Sequence, residues 1–180
     1  GTSNMKFMIN GAVTLGTLDG ANVEIHEAVG DDNIILFGMT TPQVNDLKKQ
    51  GYHPEVIAEN NADIRHALRE LSHGLGGVDF HDMVRSLQAQ DPYMVLADFD
   101  SYCKAQRRAR ELYGNSENWQ RMCLVNVANA GRFAADRAIR EYAGNIWDAN
   151  PLPPAPKAEP QKPAAVKPVA VAEPQAKKKK

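Results

Sequence analysis

The sequence is poor in cysteine and has no long apolar run, and each absence excludes a class of protein. Two cysteines occur in 180 residues. Cys103 and Cys123 lack CxxC or Cys/His spacing, so they indicate neither a zinc site nor a disulfide framework. We expect small core or boundary residues in a reducing cytosol. No stretch reaches the roughly 20 apolar residues of a membrane helix, and the opening residues do not follow the pattern of a signal peptide.

Common metal and nucleotide motifs are missing too. The histidines show no HxxxH or HxH spacing, which predicts solvated surface positions instead of metal ligands or acid–base groups. They are His26, His53, His66, His73 and His81. The turn "GTLDG" at 16–20 has no GxGxxG or GKS/T pattern, which favours a structural turn over a phosphate loop. Asp19 in this turn could cap the next helix or line a cofactor region, and both remain open.

The formal net charge of −1 hides an acidic body and a basic tail. From Pro151 onward the chain has seven lysines and two glutamates, a charge of +5, which leaves −6 for residues 1–150. The same segment holds eight of the eleven prolines and cannot build a core, so we expect a disordered Pro/Ala/Lys-rich tail at 151–180. Such a tail either solubilises the chain or attracts an acidic partner. No aromatic residue stands between its lysines, which argues against a nucleic-acid stacking platform.

The first fifty residues alternate between helical and strand periodicity. The predicted elements are a helix over about 4–10, a strand over 12–18, a helix over 21–29 and a strand over 33–38. Gly11 ends the first helix and Gly30 is the expected C-cap of the second. Thr41 and Pro42 predict the N-cap and first-turn proline of a helix that runs to Gly51. This β-α-β-α series predicts a parallel sheet covered by helices, too small to be stable alone.

The rest of the body is helical in its periodicity. Helices are predicted at about 62–73, 79–89, 93–113, 116–130 and 134–147. Within the third of these, the basic run "KAQRRAREL" is expected to form an exposed helix face. Because the chain begins with Gly and carries a motif at residue 1, we expect an upstream part against which some apolar faces pack.

The opening motif "GTSNMKFMING" carries a single lysine among apolar residues. Lys6 stands between Met5 and Phe7, so we expect its amine to be drawn towards an apolar site. An alternative with the same spacing is a lysine that snorkels at the edge of an apolar helix. The residues alone leave both interpretations open.

The residues before Lys6 predict an anion site at the start of a helix. Gly1, Thr2 and Ser3 stand where backbone N–H groups lack intrahelical acceptors and the helix dipole favours negative charge. An amine and an anion cradle about one turn apart, roughly 5.4 Å, suit pyridoxal phosphate. That cofactor carries its aldehyde and its phosphate arm on adjacent ring carbons.

The segment "GTSNMKFMINGAVTLGTLDGANVE" resembles the pyridoxal-phosphate segment of the α-glucan phosphorylases, the family of glycogen, starch and maltodextrin phosphorylases. Their signature has a Gly-x-(Gly or Ser)-x-Met-Lys core with an Asn four residues on, and this chain has Gly1, Ser3, Met5, Lys6 and Asn10 in register. The similarity covers about residues 1–148 through "NIILFG", "KKQGYHP", "DPYMVLADFDSY" and "ADRAIREYAGNIW". Two departures are conservative: Ser3 stands where Gly is frequent, and an Ile follows Met8 where Leu or Met is usual.

The resemblance implies a specific site and reaction. Lys6 corresponds to the lysine that forms a Schiff base with pyridoxal 5'-phosphate, Thr2 and Ser3 to positions that contact the cofactor phosphate, and Gly1 to a position whose amide faces the bound glucosyl unit. The implied enzyme is cytoplasmic and homodimeric at full length. It phosphorolyses an α-1,4-glucan (glycogen, starch or maltodextrin) with inorganic phosphate to release glucose 1-phosphate, and the cofactor phosphate takes part in proton transfer. The family's upstream residues are absent from the sequence, so activity of residues 1–180 alone is not expected.

The implied fold class is α/β: the C-terminal part of a Rossmann-like domain in a two-domain glycosyltransferase fold of the GT-B type, helix-rich, with a disordered tail. We assign residues 1–150 to the incomplete cofactor-binding domain and 151–180 to the tail. Two other functions stay open. One is a noncatalytic interaction module whose basic tail binds an acidic partner. The other is a nucleotide-sugar transferase of the same architecture, which does not need this lysine motif.

Overall fold

The computed structural model describes residues 2–150 and residue 152. Gly1 and the predicted tail at 151–180, apart from Leu152, lie outside the described residues. The described residues form nine α-helices: α1 Thr2–Ile9, α2 Ala21–Val29, α3 Thr41–Gln50, α4 Pro54–Asn60, α5 Ala62–Ser72, α6 His81–Ala89, α7 Val95–Gly114, α8 Ser116–Asn129 and α9 Ala135–Tyr142. Short 3₁₀ turns form at Asp31–Asn33 and Ala130–Phe133, and a π-helical turn forms at Ala143–Trp147.

The sheet is a single parallel pair in the described part of the chain. Strand β1 covers Leu15–Gly16 and strand β2 covers Ile35–Leu36, with Leu15 opposite Ile35. Helix α2 connects them, so the predicted β-α-β unit and its parallel direction are confirmed. Both strands are shorter than predicted, because a ladder extends only as far as a partner strand offers hydrogen bonds.

Helix ends follow the predicted chemistry with small shifts. Gly30 lies just past α2 at φ 74° and its amide donates to the His26 carbonyl, as expected of a C-cap. The N-cap of α3 is Thr40, not Thr41: its hydroxyl and the Gln43 side chain form a capping box. The predicted position was wrong by one residue because Thr40 lies three residues before Gln43, the spacing that a capping box requires.

Helix α4 was not predicted, and the last predicted helix is broken. The segment Pro54–Asn60 has seven residues, too few for an amphipathic period to stand out, and its proline at the first turn is the clearest signal that it begins a helix. The helix expected over 134–147 is α9 followed by the π-helical turn. The 3₁₀ turn at Ala130–Phe133 lies at the junction between the helices predicted at 116–130 and 134–147.

Two separate apolar clusters form the core. The first cluster, which we call the α1 cluster, contains Met8 of α1, Ile25 and Val29 of α2, Ile34 just before β2, and Ala130 just after α8. The second, the α5 cluster, joins α4 to α7 through Ala58, Ile64, Leu68, Val84 and Leu96. The α1 cluster is the one that positions the predicted cofactor motif, because Met8 is fully buried in it. No helix in the described residues is both long and apolar enough to cross a membrane.

Candidate functional site

Helix α1 presents the predicted cofactor residues on one exposed face. Thr2, Ser3 and Lys6 are all exposed, and positions three or four apart lie on the same side of a helix. The opposite side carries Met8, which is fully buried, and Asn4, which is half-buried. The burial of Met8 therefore fixes which way Lys6 faces.

The expectation that the Lys6 amine is drawn to an apolar site is wrong for the described residues. Lys6 is exposed. Its chain neighbours Met5 and Phe7 lie to either side of it around the helix, because successive residues are rotated by about 100°. Phe7 is itself 64% exposed and Ile9 is 59% exposed, so apolar surface flanks the amine without covering it.

The beginning of α1 offers donors to an anion. The amides of Thr2 and Ser3 have no acceptor within the helix, because first-turn N–H groups lack an i−4 carbonyl. The two hydroxyls add donors next to these amides. Gly1, the predicted glucosyl contact, lies outside the described residues. The structure thus brings three of the four predicted site residues onto one helix face.

Two asparagines connect this helix to the carboxyl end of β1. The Asn4 side-chain amide donates to the Asn22 carbonyl oxygen at 2.9 Å, and the Asn22 amide donates to the Thr17 backbone carbonyl at 2.9 Å. The Thr17 hydroxyl in turn donates to the Asp19 carboxylate at 2.9 Å. These bonds hold the first turn of α1 beside the residues that follow β1.

The carboxyl end of β2 is fastened to α7 in the same region. The Gly38 amide donates to the Ser101 hydroxyl and the Met39 amide to the Asp98 carboxylate, both at 2.9 Å. A cleft of about 390 Å³ lies here and is lined mainly by aromatic and aliphatic side chains: Thr17, Phe37, Tyr93, Val95, Asp98, Phe99 and Tyr102. The carboxyl ends of parallel strands are where open α/β sheets bind ligands, so α1 and this cleft lie on the side expected of a site.

A buried carboxylate supports the loop before α7. Asp91 is 1% exposed and accepts from the Tyr52 hydroxyl at 2.6 Å and from the amides of Val95 and Leu96 at 2.9 and 2.8 Å. Burial, followed by the hydrogen bond to Asp91, raises the pKa of the Tyr52 hydroxyl well above its usual range. These hydrogen bonds tie Tyr52 and the first residues of α7 to the loop that contains Asp91.

The histidines, which the sequence offered as further candidates, lie mostly at the surface beside acidic side chains or backbone groups. Four histidines are exposed and His26 is half-buried beside Asp31, 2.5 Å between Nε2 and Oδ1. The pKa of Asp79 lies below its usual range because the amide and ring of His81 donate to it. Among residues 2–150 and 152, no three His, Cys, Asp or Glu side chains group to hold a metal ion.

Three further expectations about single residues and short runs can be compared with the structure. Asp19 does not cap α2, whose N-cap Gly20 receives no side-chain hydrogen bond. The predicted exposed basic face of α7 is confirmed. Its members are Lys104, Arg107, Arg108 and Arg110. Cys103 and Cys123 are both half-buried, at the boundary positions expected.

Sequence reasoning missed the asparagine pair and the Tyr52–Asp91 pair. Asn4 and Asn22 each lie in the first turn of a helix on a half-buried side, where a polar amide needs a partner. That pattern is a signal that could have found them. Asp91 stands four residues before the first residue of α7. An N-cap residue directly precedes the helix, so the capping role of Asp91 is not recognised from the sequence.

Comparison with known proteins gives a consistent result. A family model described as "Carbohydrate phosphorylase" matches residues 1–149. The glycogen phosphorylase of Synechocystis sp. is 47% identical over 157 residues, covering 84% of this chain and 18% of that protein. That of Haemophilus influenzae is 43% identical over 156 residues, covering 84% and 19%. The muscle form of Bos taurus is 41% identical over 155 residues, covering 84% and 18%. The chain thus spans less than a fifth of the length of these curated relatives.

Proposed function

Because this chain belongs to the carbohydrate phosphorylase family, we propose that it forms part of an enzyme that transfers glucosyl units from an α-1,4-glucan to inorganic phosphate. The product is glucose 1-phosphate, and the glucan is glycogen, starch or maltodextrin. The observation that carries the proposal is the family match over residues 1–149. The exposed face of α1, where the motif residues meet, supports it.

The donor set on α1 fits pyridoxal 5'-phosphate. Lys6 supplies an exposed primary amine for the aldehyde, and Thr2 and Ser3 supply hydroxyl and amide donors for the phosphate about one turn away. When bound, the cofactor supplies a phosphate monoester whose second pKa near 6 allows proton exchange at neutral pH. The protein's own part is to hold this group in place.

Each residue then has a separate role. Lys6 would hold the cofactor through its exposed side-chain amine. Thr2 and Ser3 orient the anionic arm, because N–H and O–H donors at a helix beginning bind phosphate with fixed geometry. Gly1, with no side chain, allows its amide to approach the glucosyl unit. Anion donors near an oxocarbenium-like centre stabilise the transition state of glycosyl transfer.

The family match over residues 1–149 supports the fold proposal, and the parallel β1–α2–β2 unit agrees with it. We assign residues 1–150 to the C-terminal part of a Rossmann-like, cofactor-binding domain of a GT-B type enzyme, and residues 151–180 to a separate tail. At the relatives' length, we expect a cytoplasmic homodimer, with the remaining substrate-binding groups supplied outside residues 1–180.

The test is covalent capture of the cofactor in the complete enzyme. Treatment with pyridoxal phosphate and borohydride, followed by digestion and mass spectrometry, should place the reduced adduct on the peptide that contains Lys6. The Lys6→Ala variant should lose the adduct. The matched control Lys104→Ala removes another exposed lysine, on α7, and should keep it.

The same samples decide between the functions. Phosphate-dependent release of glucose 1-phosphate by the wild type and its loss in Lys6→Ala support the phosphorylase. An unlabelled Lys6 in an enzyme that still cleaves glucan with phosphate would contradict the site. If the chain instead binds polyanions in a salt-sensitive way that is lost on removing residues 151–180, and binds no cofactor, the interaction module is correct.

A further inference from the structure

We propose that Asn4 and Asn22 are positioning residues that hold the cofactor-binding turn of α1 against the carboxyl end of β1. The inference rests on the proposed function, because it takes the groups on α1 as the cofactor's binding groups. Both asparagines are half-buried, so they are not part of the exposed face of α1 that carries the proposed cofactor groups.

The hydrogen bonds form a continuous path between the two elements. Asn4 donates to Asn22 and Asn22 donates to the Thr17 carbonyl, each at 2.9 Å. Asn4 lies between Ser3 and Lys6 in the sequence, on the opposite side of the same turn. A helix that is fixed at Asn4 therefore presents Ser3 and Lys6 at a fixed distance from the residues after β1.

Gly16 shows that the close approach of Asn22 is built into the strand. A Cβ added at Gly16 would lie 2.7 Å from the Asn22 side-chain nitrogen, closer than nonbonded atoms tolerate. The last residue of β1 therefore has no side chain, and this gives Asn22 the room to reach the Thr17 carbonyl. Any larger residue at position 16 would push Asn22 away from both partners.

Asn4 does not favour formation of α1 through its own helix propensity. Asparagine has a lower helix propensity than alanine, so its place in α1 is explained by the contact it makes. This separates two roles in experiments. If Asn4 served only the helix, replacement by alanine would raise the stability of the protein. If it positions α1, the same replacement weakens ligand binding, while the gain in helix propensity offsets the lost hydrogen bond in stability.

The placement matters because ligands in open α/β sheets lie at the carboxyl ends of the strands. The residues that follow β1 lie beside the first turn of α1, so both would be available to hold a cofactor there. A shift of about 1 Å between α1 and the residues that follow the strands would misalign donors that must act together. Such a shift is enough to lower the catalytic rate substantially.

The experiment uses the complete enzyme and four variants. Asn4→Ala removes the bond to Asn22. Asn22→Asp keeps an acceptor for Asn4 but loses the donor to Thr17. The double variant combines them, and Asn60→Ala, which loses an exposed side-chain bond to the Val56 carbonyl, is the matched control. The readouts are the dissociation constant of pyridoxal phosphate from titration of the apoenzyme, the melting temperature of the apoenzyme, and kcat and KM.

Asn4→Ala and Asn22→Asp should each raise the pyridoxal phosphate dissociation constant about 3- to 10-fold, the range of one hydrogen bond. The double variant should raise it by less than the product of the two, because the bonds act in one path. The melting temperature of apo Asn4→Ala should equal that of the wild type or exceed it. Asn60→Ala should leave the dissociation constant unchanged.

The outcomes separate the two proposals. If the wild type itself does not bind pyridoxal phosphate, the proposed function fails. If the wild type binds it and both asparagine variants match Asn60→Ala in affinity, the function stands and the positioning role is wrong. A drop in apoenzyme melting temperature in Asn4→Ala that accounts for the affinity loss also overturns the positioning role.

Discussion

At the scale of single residues, Asp91 stabilises the loop before α7. Its carboxylate is buried and accepts one side-chain and two backbone hydrogen bonds. The two amides belong to the first residues of α7, so Asp91 caps that helix from outside it. Its own φ of 34° lies in the left-handed region, which aspartate tolerates better than most residues.

Replacement of Asp91 should therefore be among the costly substitutions. Asp91→Ala leaves three donors without their acceptor, and we expect a loss of about 3–5 kcal/mol in the free energy of unfolding. Tyr52→Phe removes one partner and should cost about 1–2 kcal/mol. Urea unfolding measures both. A loss below about 1 kcal/mol for Asp91→Ala would show that water replaces the carboxylate.

The Tyr52 hydroxyl predicts a pH dependence of stability. Its pKa in the folded state is raised above the ordinary value of about 10. The unfolded state therefore loses its proton first as the pH rises, and the stability that this group contributes, complete below pH about 10, is lost progressively above it. Unfolding curves from pH 8 to 11 should fall more steeply for the wild type than for Tyr52→Phe. Parallel curves would contradict this.

The grouping of the candidate residues on one helix face could be predicted from the sequence, but the contacts around that face could not. The spacing of Thr2, Ser3 and Lys6 placed them together, and the helix does bring them to one face. The apolar neighbours of Lys6 in the sequence misled, since helical rotation separates adjacent side chains. Asn22 could not be connected to Asn4 from the sequence, because that contact depends on how α1 and α2 pack.

At the scale of elements, the turn after β2 is a tightly packed junction. Gly38 has φ 81°, and a Cβ there would lie 2.7 Å from an Asp98 carboxylate oxygen and 2.9 Å from the Thr17 methyl. Only glycine combines that backbone conformation with that space. The junction joins β2 to α7 and brings Thr17 close to both.

Gly38→Ala should destabilise the protein more than its backbone strain alone predicts. Left-handed backbone costs about 1–2 kcal/mol for a residue with a Cβ, and the clash adds to this. Gly30→Ala is the matched control: its φ is 74° but nothing lies within 4 Å of the added Cβ. Thermal or urea unfolding should give a clearly larger loss for Gly38→Ala. Equal losses would mean that Asp98 moves aside freely.

The elements themselves were predicted unevenly, for physical reasons. Long helices such as α7 and α8 were found within a few residues, because their apolar period repeats over several turns. Strand lengths were overestimated, because residues 12–18 have the alternating pattern but Leu15–Gly16 alone have a partner. The short α4 shows no complete period and was missed.

At the scale of the whole molecule, the two apolar clusters share no residue among those described. Helix α7 connects them, because it packs on α8 and on β2. The α1 cluster holds α1, α2 and α8, and the α5 cluster holds α4 to α7. Clusters of this kind behave as cooperative units that open separately. The exposed face of α1 that carries Thr2, Ser3 and Lys6 depends on the first unit.

Hydrogen exchange should reveal these units. Leu68→Ala in the α5 cluster should reduce amide protection in α4, α5 and α6 while α1 and α8 keep theirs, and Met8→Ala in the α1 cluster should have the reverse effect. Each substitution removes a buried side chain and should cost about 2–5 kcal/mol within its unit. Loss of protection across all helices in both variants would show that the body opens as one unit.

The two-residue strands have a further consequence for handling the protein. Neither β1 nor β2 has a second neighbour in the part of the chain that the structure describes, and each is only two residues long. Strands this short offer few backbone groups to a strand from another copy. Concentrating the protein should therefore cause little association through this pair.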